Sequence, residues 1–296
     1  MDEKPRISVL ITHYNSGLFF KQAYDSLLGQ TESAWEAVIG DDCSTDGSWQ
    51  LVKNLVAGDP RFKIFENTSN LGSAANFKKA IGLSSASLFA RLDPDDTLTP
   101  DALEKSILAH EKHPNVGVVY SNHFVCDADL KIERLHYAQQ VDDLTSESSF
   151  LYDDEIAQFG SFKKSFYNGT AGIDTFNKRA ENVDIYLKMC EVAPVFHLNE
   201  TLYNYRIHPG SLRNFENAER AKFWYWVAAI KMAERRNLNI EDFFVKHCAR
   251  RSELQVYIDR EERLKKILEG NIFFRTAFTL GQKLRLFEAD KIIGGY

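Results

Sequence analysis

The segment SLFARLDPDDTL, residues Ser87–Leu98, runs from an apolar stretch into a cluster of three acids. The apolar part predicts a short β-strand, and Asp93, Asp95 and Asp96 follow where that strand should end. Crowded carboxylates at a strand end can hold a divalent cation, supply a nucleophile, or form a solvated turn without chemistry. The rest of the sequence has to distinguish these three interpretations.

Further apolar runs predict a sheet around this segment. They are rich in β-branched residues, and segments with helical spacing of apolar residues separate most of them. The runs are ISVLIT (7–12), WEAVIGDD (35–42), RFKIFEN (61–67) and VGVVYSNHFV (116–125). Strands that alternate with helices predict βαβ units, so the fold class is α/β with a mostly parallel sheet flanked by helices.

Polar residues collect at the predicted carboxyl ends of these strands. In open α/β sheets, ligands bind beyond those ends. Strand ends face water in any protein, but five carboxylates at two strand ends exceed what solvation requires. The sequence therefore predicts a ligand site at this edge, built from Thr12–Asn15, Asp41–Asp42, Asn67–Asn70 and Asp93–Asp96.

Composition limits the classes of protein. The chain has 296 residues, enough for one large domain or two ordinary ones, and its net charge of −6 does not favour nucleic acid as a partner. The four cysteines show no metal-binding spacing and suit a reducing compartment. The N-terminus does not resemble a signal peptide, and the run FWYWVAAI (223–230) is too short to span a membrane. We expect a cytoplasmic protein.

The pattern predicts two regions. Residues 1–214 form the α/β domain, with halves at about 1–126 and 127–214, and residues 215–296 form a helical C-terminal extension. From Phe215 onward, 16 Lys and Arg face 12 Asp and Glu. Three roles are open for these helices: docking on the α/β domain, pairing with another copy of the chain, or lying on the inner face of an anionic membrane.

Four segments together resemble the motifs of family 2 glycosyltransferases, an inverting family with the GT-A fold. They occur in the family's order, at roughly its spacing: VLITHYN (9–15), VIGDDCSTDGS (38–48), NLGSAANF (70–77) and RLDPDDTLTPDAL (91–103). The resemblance covers residues 6 to about 211. It implies metal-dependent transfer of a sugar from a nucleotide sugar to a hydroxyl of a glycan or lipid-linked acceptor, with residues 1–126 as the nucleotide-sugar half and 127–214 as the acceptor half.

The resemblance also implies roles in nucleotide binding. Thr12 and Tyr14 would flank the base, with the Tyr14 ring stacked on it. Asp42, with Asp41 beside it, would accept a hydrogen bond from a base N–H, which suits uracil or thymine and hence a UDP-sugar. The remaining nucleotide-binding residues would be Asn15, Asn70, Gly72 and, on the ribose side, Asp93.

A divalent metal is the implied cofactor. Mn²⁺ and Mg²⁺ prefer oxygen ligands, and Asp95 would hold the ion that bridges the diphosphate. His208, in the segment YRIHPGS, would approach the metal or the diphosphate. Arg206 and Ser211 would contact phosphate.

The general base departs from the family pattern. The family typically has Glu-Asp at a helix start, but AENVDIYLK (180–188) places Asn182 where the Asp is expected. An amide cannot take a proton at neutral pH. Glu181 and Asp184 are therefore the candidate bases, with Asp174 as a third if the alignment shifts. Both helix acids also suit a helix N-terminus that needs no chemistry.

Two alternatives remain open at this stage. A chain that lacks the base could be a non-catalytic protein that binds sugar nucleotides on the same fold. The segment DPDDTL also resembles the first motif of haloacid-dehalogenase-type phosphatases, in which Asp93 would be the nucleophile, Asp95 the acid/base and Thr97 a phosphate binder.

Overall fold

The computed structural model describes residues 4–141, 156, 158–209, 215–249, 260 and 263. The chain divides into two compact units, Met1–Asn237 and Leu238–Tyr296. The first unit thus includes the helix that follows residue 214, at which the sequence places the domain boundary.

The first unit contains a nine-stranded sheet. Its strands are β1 (Ile7–His13), β2 (Trp35–Asp41), β3 (Phe62–Glu66), β4 (Leu88–Arg91), β5 (Thr97–Leu98), β6 (Val118–Cys126), β7 (Ile132–His136), β8 (Ser161–Lys163) and β9 (Val195–Arg206). The helices of this unit are α1 (Phe20–Leu28), α2 (Ser48–Val56), α3 (Ser73–Leu83), α4 (Ala102–Lys112), α5 (Lys164–Tyr167), α6 (Glu181–Cys190) and α7 (Phe215–Arg235).

The strand order is β3-β2-β1-β4-β8-β6-β9-β5, with β7 paired to β6. Strands β1, β2, β3 and β4 are parallel, as the sequence predicts. The short strand β8 runs antiparallel between β4 and β6, and β5 and β7 also run against their neighbours. Because β6 and β9 are parallel to each other and follow the direction of β4, the sheet remains mostly parallel.

The core lies around the parallel strands, whose apolar runs predict burial on both faces. All seven residues of β2 are buried. Its one acid inside the run, Glu36, accepts hydrogen bonds from Ser8 and Ser85 and pairs with Lys63. Burial would raise the pKa of Glu36, but these partners outweigh it and lower the pKa to about 2. The acid is therefore accommodated in the core as an ion.

Gly40 fixes how β3 and α3 pack on β2. A Cβ at this position would lie 2.2 Å from the Phe65 ring and 2.4 Å from Asn76 Oδ1. Asn76 also donates to the Gly40 carbonyl at 2.7 Å. Only glycine allows this approach, and it places the start of α3 beside the acids Asp41 and Asp42, which follow Gly40.

The structure differs from the sequence prediction in the second half. Residues 195–206 form the single strand β9, where the sequence predicts two short strands. The register with β6 passes from the pair Ser121–Leu198 directly to Asn122–Thr201, so Asn199 and Glu200 in the polar middle of β9 bulge out while the strand continues. In the second unit, α8 (Ile240–Phe243) continues as a π-helical turn, Phe244–Ala249, where the sequence predicts an α-helix from Ile240 to Glu269. The helix predicted over 273–293 lies outside the described residues.

Within the described part of the chain, no helix combines the length and the apolar character that crossing a membrane requires.

A buried histidine should make stability depend on pH. His110 of α4 is 3% exposed, and its Nε2 lies 3.0 Å from Ser161 Oγ. Burial, with a smaller contribution from the charge of Lys163, lowers its pKa to about 4. The unfolded chain binds this proton near pH 6.5, so stability is complete above that pH and is lost as pH falls from 6.5 towards 4.

We expect this residue to contribute about 3 kcal/mol of that loss. Urea unfolding of wild type and His110→Gln at pH 7.5, 6.5, 5.5 and 4.5 measures it, with His113→Gln as the matched control. The His110 variant should show a flatter dependence than both other proteins. An equal loss in all three would contradict the assignment.

Candidate functional site

The carboxylate after β2 holds the glycine turn before α3. Asp42 Oδ1 accepts the Leu71 N–H and Oδ2 accepts the Gly72 N–H, both at 2.8 Å. Asn70 Nδ2 donates to the Asp42 carbonyl at 3.2 Å. Gly72 has φ +85°, a conformation that favours glycine. The structure thus brings together three of the predicted nucleotide-binding residues, Asp42, Asn70 and Gly72.

The neighbouring loop divides into anchoring and exposed residues. Both oxygens of Asp41 bind Ser44, and Asn15 Oδ1 accepts the N–H groups of Thr45 and Asp46. These contacts join the loop after β1 to the loop after β2. Tyr14, between them, is 51% exposed, and Thr12 is partly exposed. Tyr14 is therefore available to a ligand, whereas the Asp41 and Asn15 side chains order the loops.

The three acids after β4 occupy different environments. Asp96 is 1% exposed and accepts hydrogen bonds from the Tyr203 hydroxyl at 2.8 Å and the Arg206 N–H at 2.7 Å. Asp93 accepts from Arg91 Nε at 2.6 Å. Asp95 is 30% exposed at its side chain, and its Oδ2 lies 2.9 Å from His208 Nε2. Asp95 and His208 are 113 positions apart in the sequence, and both are predicted metal-site residues. The structure places their side chains in contact.

The acidic loop carries electrostatic strain. Burial raises the pKa of Asp93 above its usual range, and the neighbouring Asp95 adds to this, while Arg91 opposes it. Burial, together with the charges of Asp95 and Asp93, raises the pKa of Asp96 well above its usual range. Like charges this close disfavour full ionisation, which a cation at the loop would relieve.

The donor set fits a hard divalent cation. Asp95 offers a carboxylate oxygen and His208 an imidazole nitrogen at one point of the cleft. Among the residues that the structure describes, no three His, Cys, Asp or Glu side chains form a metal cluster. Two protein ligands suit Mg²⁺ or Mn²⁺, since such ions usually keep waters and substrate phosphates in their remaining positions.

Arg91 joins the acidic loop to α6. Its guanidinium is 8% exposed and donates to Glu181 Oε1 at 2.9 Å and to Asn182 Oδ1 at 2.6 Å, besides Asp93. Ser73, at the start of α3, also donates to Glu181 Oε1 at 2.6 Å. Burial would raise the pKa of Glu181, but the Arg91 charge and the Ser73 hydroxyl hold it below its usual range. Glu181, which is 4% exposed, is therefore a stabilised anion buried where α6 meets Arg91 and the start of α3.

Asp184, the other candidate base, is not brought to this cluster. It is 1% exposed, pairs with Lys188 at 2.8 Å, and accepts the Asp174 N–H at 2.9 Å. Asp174 in turn pairs with Lys231. Burial would raise the pKa of Asp174, but Lys231 and the Phe176 N–H lower it. Both acids are engaged in ion pairs on the α7 side of α6.

Arg206 is engaged with the protein itself. Its side chain donates to the carbonyls of Asp95 and Ala128 and to Gln22 Oε1, each at 2.6 Å, and the residue is 2% exposed. It thereby supports the acidic loop, and its contact with a phosphate stays a prediction. Ser211 lies outside the described residues.

Two residues of the site, Arg91 and Ser73, are not among the sequence-predicted site residues. The sequence did contain a signal for Arg91, because a charged residue inside an otherwise apolar strand needs a buried partner. Ser73 had none, because its partner Glu181 lies 108 positions away.

A parallel nucleotide-binding sheet with acidic loops at its carboxyl edge, extended by antiparallel strands, is the arrangement of GT-A glycosyltransferases. Solved structures confirm this fold. The first is S. aureus TarS 1–349 in complex with UDP-GlcNAc, with TM-score 0.61 and 17% identity over 76% of this chain and 66% of that chain. The second is mannosyltransferase PcManGT from Pyrobaculum calidifontis in complex with GDP-Man and Mn²⁺. It has TM-score 0.59 and 17% identity over 97% of this chain and 82% of that chain.

The sequence profile described as Glycosyl transferase family 2 matches residues 8–173, more than half of the chain, so the chain belongs to this family. Chondroitin synthase from Escherichia coli is 29% identical over 205 residues, which is 69% of this chain and 29% of that protein. The chain thus spans less than a third of that relative. The family predicted from the four motifs is confirmed, and the phosphatase alternative is wrong.

The role of Arg206 as a support can be tested by stability. Arg206→Met should lower the free energy of unfolding by about 2–4 kcal/mol, because the buried arginine side chain is lost and the carbonyls of Asp95 and Ala128 and the Gln22 amide oxygen lose a charged donor. Urea denaturation measures the change, with Arg134→Met, an exposed arginine of β7, as the matched control. Equal stability of the two variants would rule out the supporting role.

Proposed function

We propose that this protein is a metal-dependent, inverting glycosyltransferase that moves a sugar from a UDP-sugar to a hydroxyl of a glycan or lipid-linked acceptor in polysaccharide biosynthesis. One observation carries the proposal. A continuous chain of contacts connects the residues along one edge of the sheet. It runs from Asp42 through Gly72, Ser73 and Glu181 to Arg91 and Asp93. The metal pair Asp95–His208 adjoins it.

The names of similar proteins support this chemistry. The TarS structure contains UDP-GlcNAc, and the PcManGT structure contains GDP-Man with Mn²⁺. The name of the relative chondroitin synthase describes an enzyme that makes a polysaccharide. A nucleotide-sugar donor and a divalent cation therefore suit the cleft of this chain.

The nucleotide half would bind the donor through a few side chains. The Tyr14 ring would stack on the base, with Thr12 beside it. Asp42 would accept the base N–H through a remaining lone pair, since each carboxylate oxygen can accept more than one hydrogen bond. Asp93 would contact the ribose. Asp41, Asn15, Asn70 and Gly72 would keep the loops in this conformation.

Asp95 and His208 would hold Mn²⁺ or Mg²⁺. When bound, such an ion neutralises the negative charge of the departing diphosphate. Arg91 fixes the neighbouring Asp93 carboxylate through a hydrogen bond.

Glu181 is the carboxylate of α6 that contacts Arg91 beside the acidic loop, and we propose it as the base. Both of its side-chain bonds, from Ser73 and Arg91, end on Oε1. Oε2 would take the proton as the acceptor hydroxyl attacks the anomeric carbon. A lowered pKa weakens a base, so the proton transfer would be slower than with an unpaired carboxylate.

One observation favours a second function. Asn182 occupies the position of the family's base, and Arg91 binds its amide oxygen at 2.6 Å. A chain with an amide there, and with Glu181 already paired, would bind sugar nucleotides without transferring the sugar.

We also propose a location and a mode of assembly for the protein. The donor would be taken from the cytoplasm, with contact at the inner face of the membrane or between copies through residues 215–296.

The donor preference follows from Tyr14 and Asp42. UDP with Mn²⁺ should bind at least tenfold more tightly than CDP, because uracil offers Asp42 an N3–H whereas the unprotonated N3 of cytosine is an acceptor. Isothermal titration calorimetry measures the affinities for UDP, CDP and GDP. Tighter binding of CDP or GDP would refute the preference.

The metal assignment predicts a separate effect. Asp95→Ala should abolish the gain in UDP affinity that Mn²⁺ provides, and His208→Ala should reduce it, while circular dichroism stays unchanged. Asp25→Ala, which removes an exposed acid of α1, is the control. If Asp95→Ala binds UDP and Mn²⁺ like the wild type, Asp95 is not a metal ligand.

The base assignment is tested with three variants. Glu181→Gln should lower transfer by about 10²- to 10⁴-fold with UDP affinity retained, whereas Asp184→Asn should act mainly on stability. Transfer is measured with UDP-sugars and a panel of glycan acceptors. Less than a tenfold loss in Glu181→Gln would show that Glu181 is not the base. A wild type without transfer, together with a gain in Asn182→Asp, would establish the binding-protein alternative.

A further inference from the structure

An exposed group of aromatic rings lies where α7 meets the loop before α6. Phe176 is 64% exposed and Phe223 is 60% exposed. Their ring centroids lie 5.4 Å and 5.3 Å from that of Trp224, both in edge-to-face contact. We call these three residues the aromatic platform. Contiguous exposed apolar surface of this kind marks a binding site more often than an inert surface.

An open cavity of about 430 Å³ adjoins the platform. Among its lining residues are Lys78, Asp174, Thr175, Lys188, Lys231 and Glu234. Lys231 connects the two features, because it pairs with Asp174 and its Nζ lies 5.0 Å from the centre of the Phe176 ring. Trp224 and Lys231, seven positions apart, share one face of α7. Platform and cavity therefore form one surface.

The cavity is polar but nearly neutral. Lys188 pairs with Asp184, Lys231 with Asp174, and Arg235 with Glu191. Lys78 and Glu234, which also line the cavity, have opposite charges. The surface thus offers hydrogen-bond donors and acceptors without an excess of either charge. Such a surface does not attract a polyanion or an anionic membrane.

Buried contacts connect this surface with the proposed base, Glu181. The Asp174 N–H binds Asp184 of α6, one turn from Glu181, and Glu181 contacts Arg91 at the acidic loop. Lys78, on the cavity wall, belongs to α3, whose first residue Ser73 binds Glu181. Both α6 and α3 thus run from the donor cleft to the cavity.

We propose that the platform and the cavity form a subsite for an uncharged pyranose segment of the acceptor glycan. Pyranose rings present C–H groups on their faces and hydroxyls at their edges. The faces pack on the rings of Phe176, Phe223 and Trp224, and the hydroxyls bind Asp174, Thr175, Lys231 and Glu234. The platform supplies the apolar surface and the cavity supplies the orienting polar groups, and small-ligand sites combine these two features. The assignment of this glycan as acceptor rests on the proposed function.

The test uses the full chain with UDP and Mn²⁺ present. The probes are chitotetraose, cellotetraose and mannotetraose, with a chondroitin tetrasaccharide as the charged comparison. Saturation-transfer NMR and titration measure binding to wild type, to the double variant Phe176→Ala/Phe223→Ala, and to Leu108→Ala. Leu108 is the control because it is an apolar residue of α4 that is 52% exposed.

At least one uncharged tetrasaccharide should bind the wild type and Leu108→Ala alike, and bind the double variant at least tenfold more weakly. No binding of any uncharged probe, or equal binding to the double variant, overturns the subsite. Loss in the double variant of self-association or of binding to phosphatidylglycerol vesicles, without an effect on sugars, assigns the platform to another copy or to a membrane and also overturns it. UDP titration separates the two proposals: a wild type that binds a tetrasaccharide but no UDP keeps the subsite and refutes the donor assignment.

Discussion

The site depends on the hydrogen bonds of one buried group, the guanidinium of Arg91. It binds Asp93 on the acidic loop and both Glu181 and Asn182 on α6, so it holds the two halves of the cleft at a fixed spacing. A buried arginine is tolerated only when its donors are satisfied, and here two carboxylates, whose charges raise its pKa against the effect of burial, balance it. Loss of Arg91 would leave the Asp93 and Glu181 carboxylates without the cation that both of them bind.

The same network connects the glycine turn with the first turn of α6. Ser73 follows the glycine turn that Asp42 binds, and it shares Glu181 with Arg91. A ligand that moves the turn at Gly72 would act on Glu181 through one intervening residue. The glycine turn and the first turn of α6 therefore form one connected unit.

The sequence predicts the parallel half of the fold and most of the cleft, because the signals there are local. The runs that become β1 and β2 are mostly apolar, and Asp42, Gly72 and Asp95 belong to short motifs at strand ends. The partners of Arg91 could not be predicted, since Glu181 lies 90 positions away and only the folded sheet brings it close. The choice between Glu181 and Asp184 did have a local signal: Lys188, four residues after Asp184, forms its ion pair.

The support beneath the acidic loop has a consequence for how the cleft meets its ligands. Asp96 is bound by Tyr203 and by the Arg206 N–H, and the Arg206 side chain holds the Asp95 carbonyl. These contacts therefore hold the three acids close together in the folded chain without a bound ion. A preorganised loop loses little conformational entropy on binding, so a cation would gain affinity here without waiting for the loop to rearrange.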